Sequence, residues 1–267
     1  MSDAAVTPCF VEVRRPGGDD VDQPPAVLIH GWASGSSYWE PLADRLCGAG
    51  HTVWIVDLPG YHPGEELPAG FDWTLDSAAA SVAAAIEGHG TPRVHLVGHS
   101  MGGSISLALA AARPGLVASV TLVGMVPAPP NKGFKAMLLQ QVEQGYFDAA
   151  TIRKCMDAWY GELPAGDRER LSKGFDVPFG VLAPSALAAM TGVERSVPRR
   201  VTAPLLVIAG TGDRVRSIAQ MESFVEAAPG RQLKAVPNAG HSVHWEQPDV
   251  CASTLREFWR TSGATPA

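Results

Sequence analysis

Short β-branched or apolar runs recur along the chain, at positions 11–13, 27–29, 53–56, 94–97, 120–123, 205–209 and 233–236, several of them apolar without alternation. Side chains that are apolar at successive positions suit strands covered on both faces, as in a parallel sheet. Between these runs lie helix-length segments, roughly 37–46, 76–86, 104–112, 218–227 and 249–259, some with Pro or Gly punctuating their ends. Strands alternating with helices predict an α/β fold with a mostly parallel sheet. The turn-rich stretch Arg15-Pro-Gly-Gly-Asp-Asp after the first run suits an antiparallel edge hairpin leading into the parallel part.

One interval breaks the rhythm, because residues 127–195 hold no convincing strand. Ile152, Cys155, Met156 and Trp159 fall at i, i+3, i+4 and i+7, which predicts one amphipathic helix, and Met137, Leu138, Gln141 and Val142 predict another upstream. Pro127-Ala-Pro-Pro130 and Val197-Pro198 bracket the interval as stiff connectors. The expected organisation is a single domain whose core, residues 1–126 and 196–267, carries residues 127–195 as a helical cap. Ordinary scaffold helices are the alternative.

Composition narrows the classes. The 267 residues are 46% hydrophobic and 18% charged, which excludes disorder as the main state. With 21 basic against 27 acidic residues and no basic stripe, a nucleic-acid partner is not expected. Cys9, Cys47, Cys155 and Cys251 form no C-x-x-C pair, so free thiols in a reducing compartment are expected rather than a metal site. The stretch Met1-Ser-Asp-Ala-Ala lacks a positive n-region, and no run approaches the ~20 apolar residues of a membrane span. A cytoplasmic protein without membrane association is therefore expected.

The strongest chemical signal is Val94-His-Leu-Val-Gly98-His99-Ser100-Met101-Gly102-Gly103, a strand running through G-x-S-x-G into a small-residue helix. A serine hydroxyl is a poor nucleophile unless a base can reach it. A sharp strand-to-helix turn exposes it, and the crowding of such a turn demands glycine at 98 and 102. The helix start adds free N–H groups and a positive dipole end for a developing anion. A histidine in Asn238-Ala-Gly-His241, on a loop after the last apolar run, can bring an imidazole to that serine, and His244 is its competitor three residues on. Asp213, just after the run at 205–209, is the candidate carboxylate to orient the imidazole. Asp57, in Asp-Leu-Pro-Gly, reads as a turn residue, and His30 and His99 read as loop-holding histidines.

In these motifs the chain resembles the α/β-hydrolase superfamily, nearest to small bacterial serine carboxylesterases of the pimeloyl-carrier-protein methyl ester esterase type. The resemblance rests on Leu28-Ile-His30-Gly31-Trp32, Asp57-Leu-Pro-Gly60, Gly98 to Gly103, Gly210-Thr-Gly-Asp213 and Gly240-His241-Ser-Val-His244-Trp-Glu-Gln-Pro248, in the order nucleophile, acid, histidine. It implies an eight-stranded sheet with the cap inserted after the sixth strand, and an active site at the sheet's carboxyl edge. It assigns Ser100 as nucleophile, Asp213 as acid and His241 as base, with the backbone N–H groups of Trp32 and Met101 as the oxyanion hole. One departure is Tyr61-His-Pro-Gly64, where many relatives continue with a small Gly-x-Ser.

No cofactor or metal is implied. The expected partner is a small, largely apolar ester or acyl substrate, free or carrier-bound, handled by a monomer or homodimer. Candidate pocket residues are Trp32, Met137, Phe147, Met156, Trp159 and Phe179, with Phe175 and Met190 beside them. Thioesterase, lactonase and C–C bond hydrolase activities would use the same residues, and a non-hydrolytic lyase, isomerase or ligand receptor stays open.

Overall fold

The computed structural model describes residues 9–17 and 23–263. Along the chain run β1 (Phe10–Arg14), β2 (Ala26–Ile29), a 3-10 turn (Ser36–Trp39), α1 (Glu40–Gly48), β3 (Val53–Asp57), α2 (Leu75–Gly88), β4 (Val94–His99), α3 (Met101–Ala112) and β5 (Val117–Val123). Then follow α4 (Lys132–Gln144), α5 (Ala149–Trp159), α6 (Ala165–Ser172), a 3-10 turn (Lys173–Asp176), α7 (Phe179–Thr191) and α8 (Val197–Arg200). The chain closes with β6 (Leu205–Gly210), α9 (Ile218–Glu226), β7 (Arg231–Val236), α10 (Val243–Glu246) and α11 (Pro248–Thr261).

The strands form one sheet in the order β1-β3-β2-β4-β5-β6-β7, parallel except for β1. The seven apolar runs are its seven strands among the described residues, against the eight expected, so the helical interval follows the fifth strand rather than the sixth. A second correction concerns the first strand. β1 pairs antiparallel with β3, Phe10 opposite Asp57, and not with β2, the next strand in sequence; the expected turn runs into residues 18–20, which lie outside the described residues. A parallel neighbour, β4, already fills the other side of β2.

Apolar runs without alternation are explained by two cores, one on each face of the sheet. Val27, Ile29, Val56, Leu96, Leu122 and Val207 pack with α2 and α3, whereas Leu28, Val53, Ile55, Val97, Val123 and Ile208 pack with α1 and α11. Successive side chains of a strand point to opposite faces, so a central strand covered by helices on both must be apolar throughout. Local signals place the helix ends. Thr74 and Ser77 form a capping box at the start of α2, and Ser217 and Gln220 another at α9.

Between β5 and β6 the described residues contain helices and no strand. Cys155 and Met156 of the expected stripe are buried on α5, and Leu138 and Gln141 are buried on α4. The Gln141 amide donates to Asp148 Oδ2 at 3.1 Å while its Oε1 accepts from Asp148 N–H at 2.7 Å, tying the end of α4 to the start of α5. The segment is also fitted to the sheet. A Cβ on Gly174 would lie 2.0 Å from the Ala33 carbonyl oxygen, so the turn Lys173–Asp176 touches backbone after β2 at a distance only glycine permits. All four cysteines are free, and burial pushes the thiols of Cys155 and Cys251 up to about 12, which makes them inert apolar fillers. No single helix among the described residues is long and apolar enough to cross a membrane.

Candidate active site

Ser100 sits between β4 and α3 with φ 51° and ψ −116°, a conformation that costs about 1–3 kcal/mol for a residue with a side chain. The surroundings enforce it. A Cβ on Gly98 would lie 2.3 Å from the Gly102 carbonyl oxygen, and one on Gly102 would lie 2.1 Å from the Ile29 carbonyl oxygen. The G-x-S-x-G pattern is thus a steric requirement of a strand and helix meeting at one sharp turn beside β2. Met101 opens α3, so its N–H has no acceptor within the helix.

Asp213 lies in the turn after β6. Its Oδ1 accepts from the N–H of Val215 at 2.7 Å and of Arg216 at 2.9 Å, which leaves Oδ2 to accept from His241 Nδ1 at 2.9 Å. Both side chains are sealed from solvent, at 0% and 2% exposure. Because a carboxylate oxygen only accepts, Nδ1 of His241 carries a proton, and in the neutral ring Nε2 is the acceptor; that nitrogen is buried with no hydrogen-bond partner.

Three contacts bring His241 beside Ser100. Ser100 N–H donates to the Val123 carbonyl at the end of β5, and the next residue, Gly124, has φ 62° and no room for a Cβ, which would lie 2.4 Å from the His241 carbonyl oxygen. His99, the neighbour of Ser100, donates from Nε2 to the His241 carbonyl at 3.2 Å. Ser100 and His241 also line the same two cavities. The loop carrying His241 is held by Glu246, whose carboxylate accepts from Gly240 N–H at 3.0 Å and Ser242 N–H at 3.2 Å.

His244 is placed differently from His241. It packs against Trp39, Tyr38 and His99 at 4.2, 4.3 and 4.7 Å between ring centres, and neither ring nitrogen has a partner. Burial drives its pKa well down, as it does that of His99, so both stay neutral. Asp213 is bonded to His241 and not to His244.

The loop after β2 brings Trp32 to the site. His30 Nδ1 donates to the Gly31 carbonyl at 2.7 Å and its Nε2 accepts from Leu58 N–H at 3.1 Å, fixing one neutral tautomer. The Trp32 indole donates to Leu182 O of α7 at 2.9 Å. Ala33 has φ 50°, so this loop, like the serine turn, is held in the left-handed region by its surroundings. Asp57 does tie a turn: it accepts from Ser36 N–H at 2.6 Å and pairs with His62 at 3.1 Å. The departure at Tyr61-His62 therefore has structural partners, with Tyr61 Oη 2.8 Å from Ser185 Oγ of α7.

Two cavities meet at Ser100. The smaller, about 170 Å³, is walled by Trp32, Trp159, Tyr38, Phe134, Leu138 and Met190; the larger, about 1240 Å³, runs out between β5, β6 and α7–α8. Among the expected pocket residues, Trp32 and Trp159 line the smaller cavity. Phe147 packs edge-on against Trp32 at 5.2 Å, Phe179 lies behind it at 5.6 Å, and Phe175 stacks on Trp159 at 5.7 Å. Met137 and Met156 line neither cavity, and Met156 is buried with Tyr38 and Tyr160. Sequence reasoning missed Tyr38, Gly124 and Arg216. Tyr38 Oη donates to Ser242 Oγ at 2.5 Å, and Ser242 Oγ donates on to the Trp159 carbonyl at 2.9 Å, linking the first turn, the histidine loop and α5. Only Arg216 left a signal, its place three residues after the candidate carboxylate Asp213.

Residues 26–254 match the model of the alpha/beta hydrolase family. Over 253 residues the chain is 31% identical to the pimeloyl-[acyl-carrier protein] methyl ester esterase of Xanthomonas campestris pv. campestris, covering 88% of this chain and 94% of that one. It is 28% identical over 248 residues to the 2-(acetamidomethylene)succinate hydrolase of Mesorhizobium japonicum, covering 88% and 87%. The fold is shared with a thermophilic esterase from Thermogutta terrifontis at TM-score 0.82 and 22% identity, over 95% of this chain and 93% of that one.

Proposed function

From the chain's membership of the alpha/beta hydrolase family, which makes it a hydrolase of ester or related bonds, we propose that Ser100, Asp213 and His241 form its catalytic triad. The buried Asp213–His241 pair, with Nε2 unpartnered and His241 lining the same two cavities as Ser100, is the observation that supports this reading. Ser100 Oγ attacks the acyl carbon while Nε2 of His241 takes its proton. The negative charge that forms on the acyl oxygen is met by the N–H groups of Met101 and Trp32. As the bond to the leaving group breaks, the imidazolium returns the proton to it, and Asp213 stabilises that imidazolium. Water then gives a proton to His241 and attacks the acyl carbon, and as the bond to Ser100 Oγ breaks His241 returns that proton to it, releasing the acid and restoring the serine.

The helices between β5 and β6 act as a cap over this site. Phe134, Leu138, Trp159, Tyr160 and Met190 from that segment wall the smaller cavity, which suits one apolar half of the substrate. Ester hydrolysis is favoured over a binding role because His241 is held in the one tautomer that leaves Nε2 a base.

A fluorophosphonate probe together with a 4-nitrophenyl ester tests the assignment. Ser100 is expected to be labelled stoichiometrically, with labelling abolished in His241→Ala. Ser100→Ala is expected to lower kcat by about 10³-fold or more, since triad members act as a unit. Near-normal turnover by folded Ser100→Ala would overturn the assignment.

A further inference from the structure

The larger cavity has a charge that the molecule as a whole does not. Lys135, Arg195, Arg199, Arg216 and Arg231 line it, against a single carboxylate, Glu194, in a chain of formal charge −6. None of these five cations forms an ion pair with a carboxylate among the described residues, whereas Arg14, Arg45, Arg113, Arg168 and Arg170 all do. A cation that lines a cavity without a carboxylate partner gains favourable Coulomb energy when an anion enters.

Arg216 is the member nearest the chemistry, because it lines both cavities together with Ser100 and His241. Its guanidinium donates only to backbone carbonyls, from Nη2 to Ala128 at 3.1 Å and from Nη1 to Pro129 and Val215 at 3.5 Å. The negative charge that acts on it is Asp213, whose two oxygens are committed to His241 and to the amides of Val215 and Arg216. Burial works against this cation. The result is a planar donor fork, held in place from both sides and lacking an oxyanion partner.

Building on the serine-hydrolase reading, we propose that the larger cavity is an anion subsite: the substrate carries a carboxylate or phosphate on the half that fills it, received by Arg216 with Arg195, Arg199, Arg231 and Lys135 around it. The apolar half of the same substrate lies in the aromatic cavity, and the scissile bond lies between the two at Ser100. Arg216 is thus a specificity residue rather than a participant in proton transfer.

The test compares kcat/KM for matched pairs of substrates. One series pairs 4-nitrophenyl monoesters of glutaric and adipic acid with the neutral pentanoate and hexanoate. A second places the anion on the alcohol half, pairing 3-acetoxybenzoate with phenyl acetate, and a third replaces the terminal carboxylate by phosphate. The intact enzyme is expected to prefer the anionic member of at least one pair by about 10- to 100-fold, the worth of a charge-assisted hydrogen bond. The preferred series tells carboxylate from phosphate and acyl half from alcohol half. Arg216→Gln is expected to collapse that ratio and Arg216→Lys to restore part of it, whereas a merely structural role would lower both members of a pair alike. Arg199→Ala, at an exposed position, is expected to reduce the ratio less and to make it less sensitive to salt. Equal kcat/KM within every pair overturns the anion subsite while leaving the hydrolase intact. Absence of turnover on all esters, with no fluorophosphonate labelling, fails the hydrolase reading instead.

Discussion

Ser100 is held at φ 51° by two glycines that cannot take a Cβ, so its backbone is strained whether or not its hydroxyl is present. Ser100→Ala removes the proposed nucleophile and keeps the strain. Ser100→Gly removes both, at a cost of about 0.5–1 kcal/mol in unfolded-chain entropy against about 1–3 kcal/mol of strain released. Ser100→Gly is therefore expected to be the more stable of two inactive variants, by about 1 kcal/mol in urea denaturation. Equal midpoints would mean that the turn stores no more strain than the about 0.5–1 kcal/mol that glycine costs in unfolded-chain entropy, and a less stable Ser100→Gly that it stores none. This turn was legible in the sequence because it depends on local rules, a serine between glycines where a strand runs into a helix. Gly124 was not legible. Its need for φ 62° and an empty Cβ position arises from His241, which arrives from the far end of the chain.

At the scale of elements, the helices between β5 and β6 are docked on the loop that carries Trp32. Trp32 Nε1 is bonded to α7, and Gly174 abuts the Ala33 carbonyl. Gly174→Ala would push the turn Lys173–Asp176 and this loop apart, because backbone cannot yield as a flexible side chain does. The expected outcome is a loss of about 1–3 kcal/mol of stability and a fall in kcat/KM on the order of 10- to 100-fold through the Trp32 amide. Thermal melts with steady-state kinetics check both; unchanged kinetics would show that this contact does not position the loop. The amphipathic stripe of α5 was readable from spacing, since burial of one helix face follows from period alone. Which stripe residues face a cavity was not, because Trp159 at its edge lines the site while Met156 on the same stripe points to Tyr38 and Tyr160. Likewise, apolar runs revealed the strands but not that β1 would pair with β3, which is settled by the neighbour β2 already has.

For the whole molecule, several histidines are kept neutral by burial. The pKa of His95 falls to about 3, with its ring stacked on Trp259 at 4.6 Å and Nδ1 2.8 Å from Ser119 Oγ, and those of His30, His51, His99 and His244 are lowered in the same direction. A histidine whose folded pKa lies below its unfolded value of about 6.5 binds its proton more readily in the unfolded chain. Stability is then fully present above about pH 6.5 and declines as pH falls toward the folded pKa. His95 alone accounts for about 2 kcal/mol between pH 6.5 and 5, at about 1.36 kcal/mol per pH unit. Urea midpoints at pH 7 and pH 5 are expected to show this decline, with a shallower slope in His95→Gln. A midpoint that rose on acidification would contradict it. The count of histidines was plain in the sequence, but their neutrality depends on two cores that only the assembled sheet creates.

The position of the helical segment between β5 and β6 also orders events during synthesis. The residues of the serine turn and of the Trp32 loop leave the ribosome ahead of it, and Asp213 and His241 follow it. Under the proposed triad, a nascent chain carries its nucleophile before the acid and base that activate it have been made. Hydrolytic competence is then expected to coincide with completion of the sheet by β6 and β7.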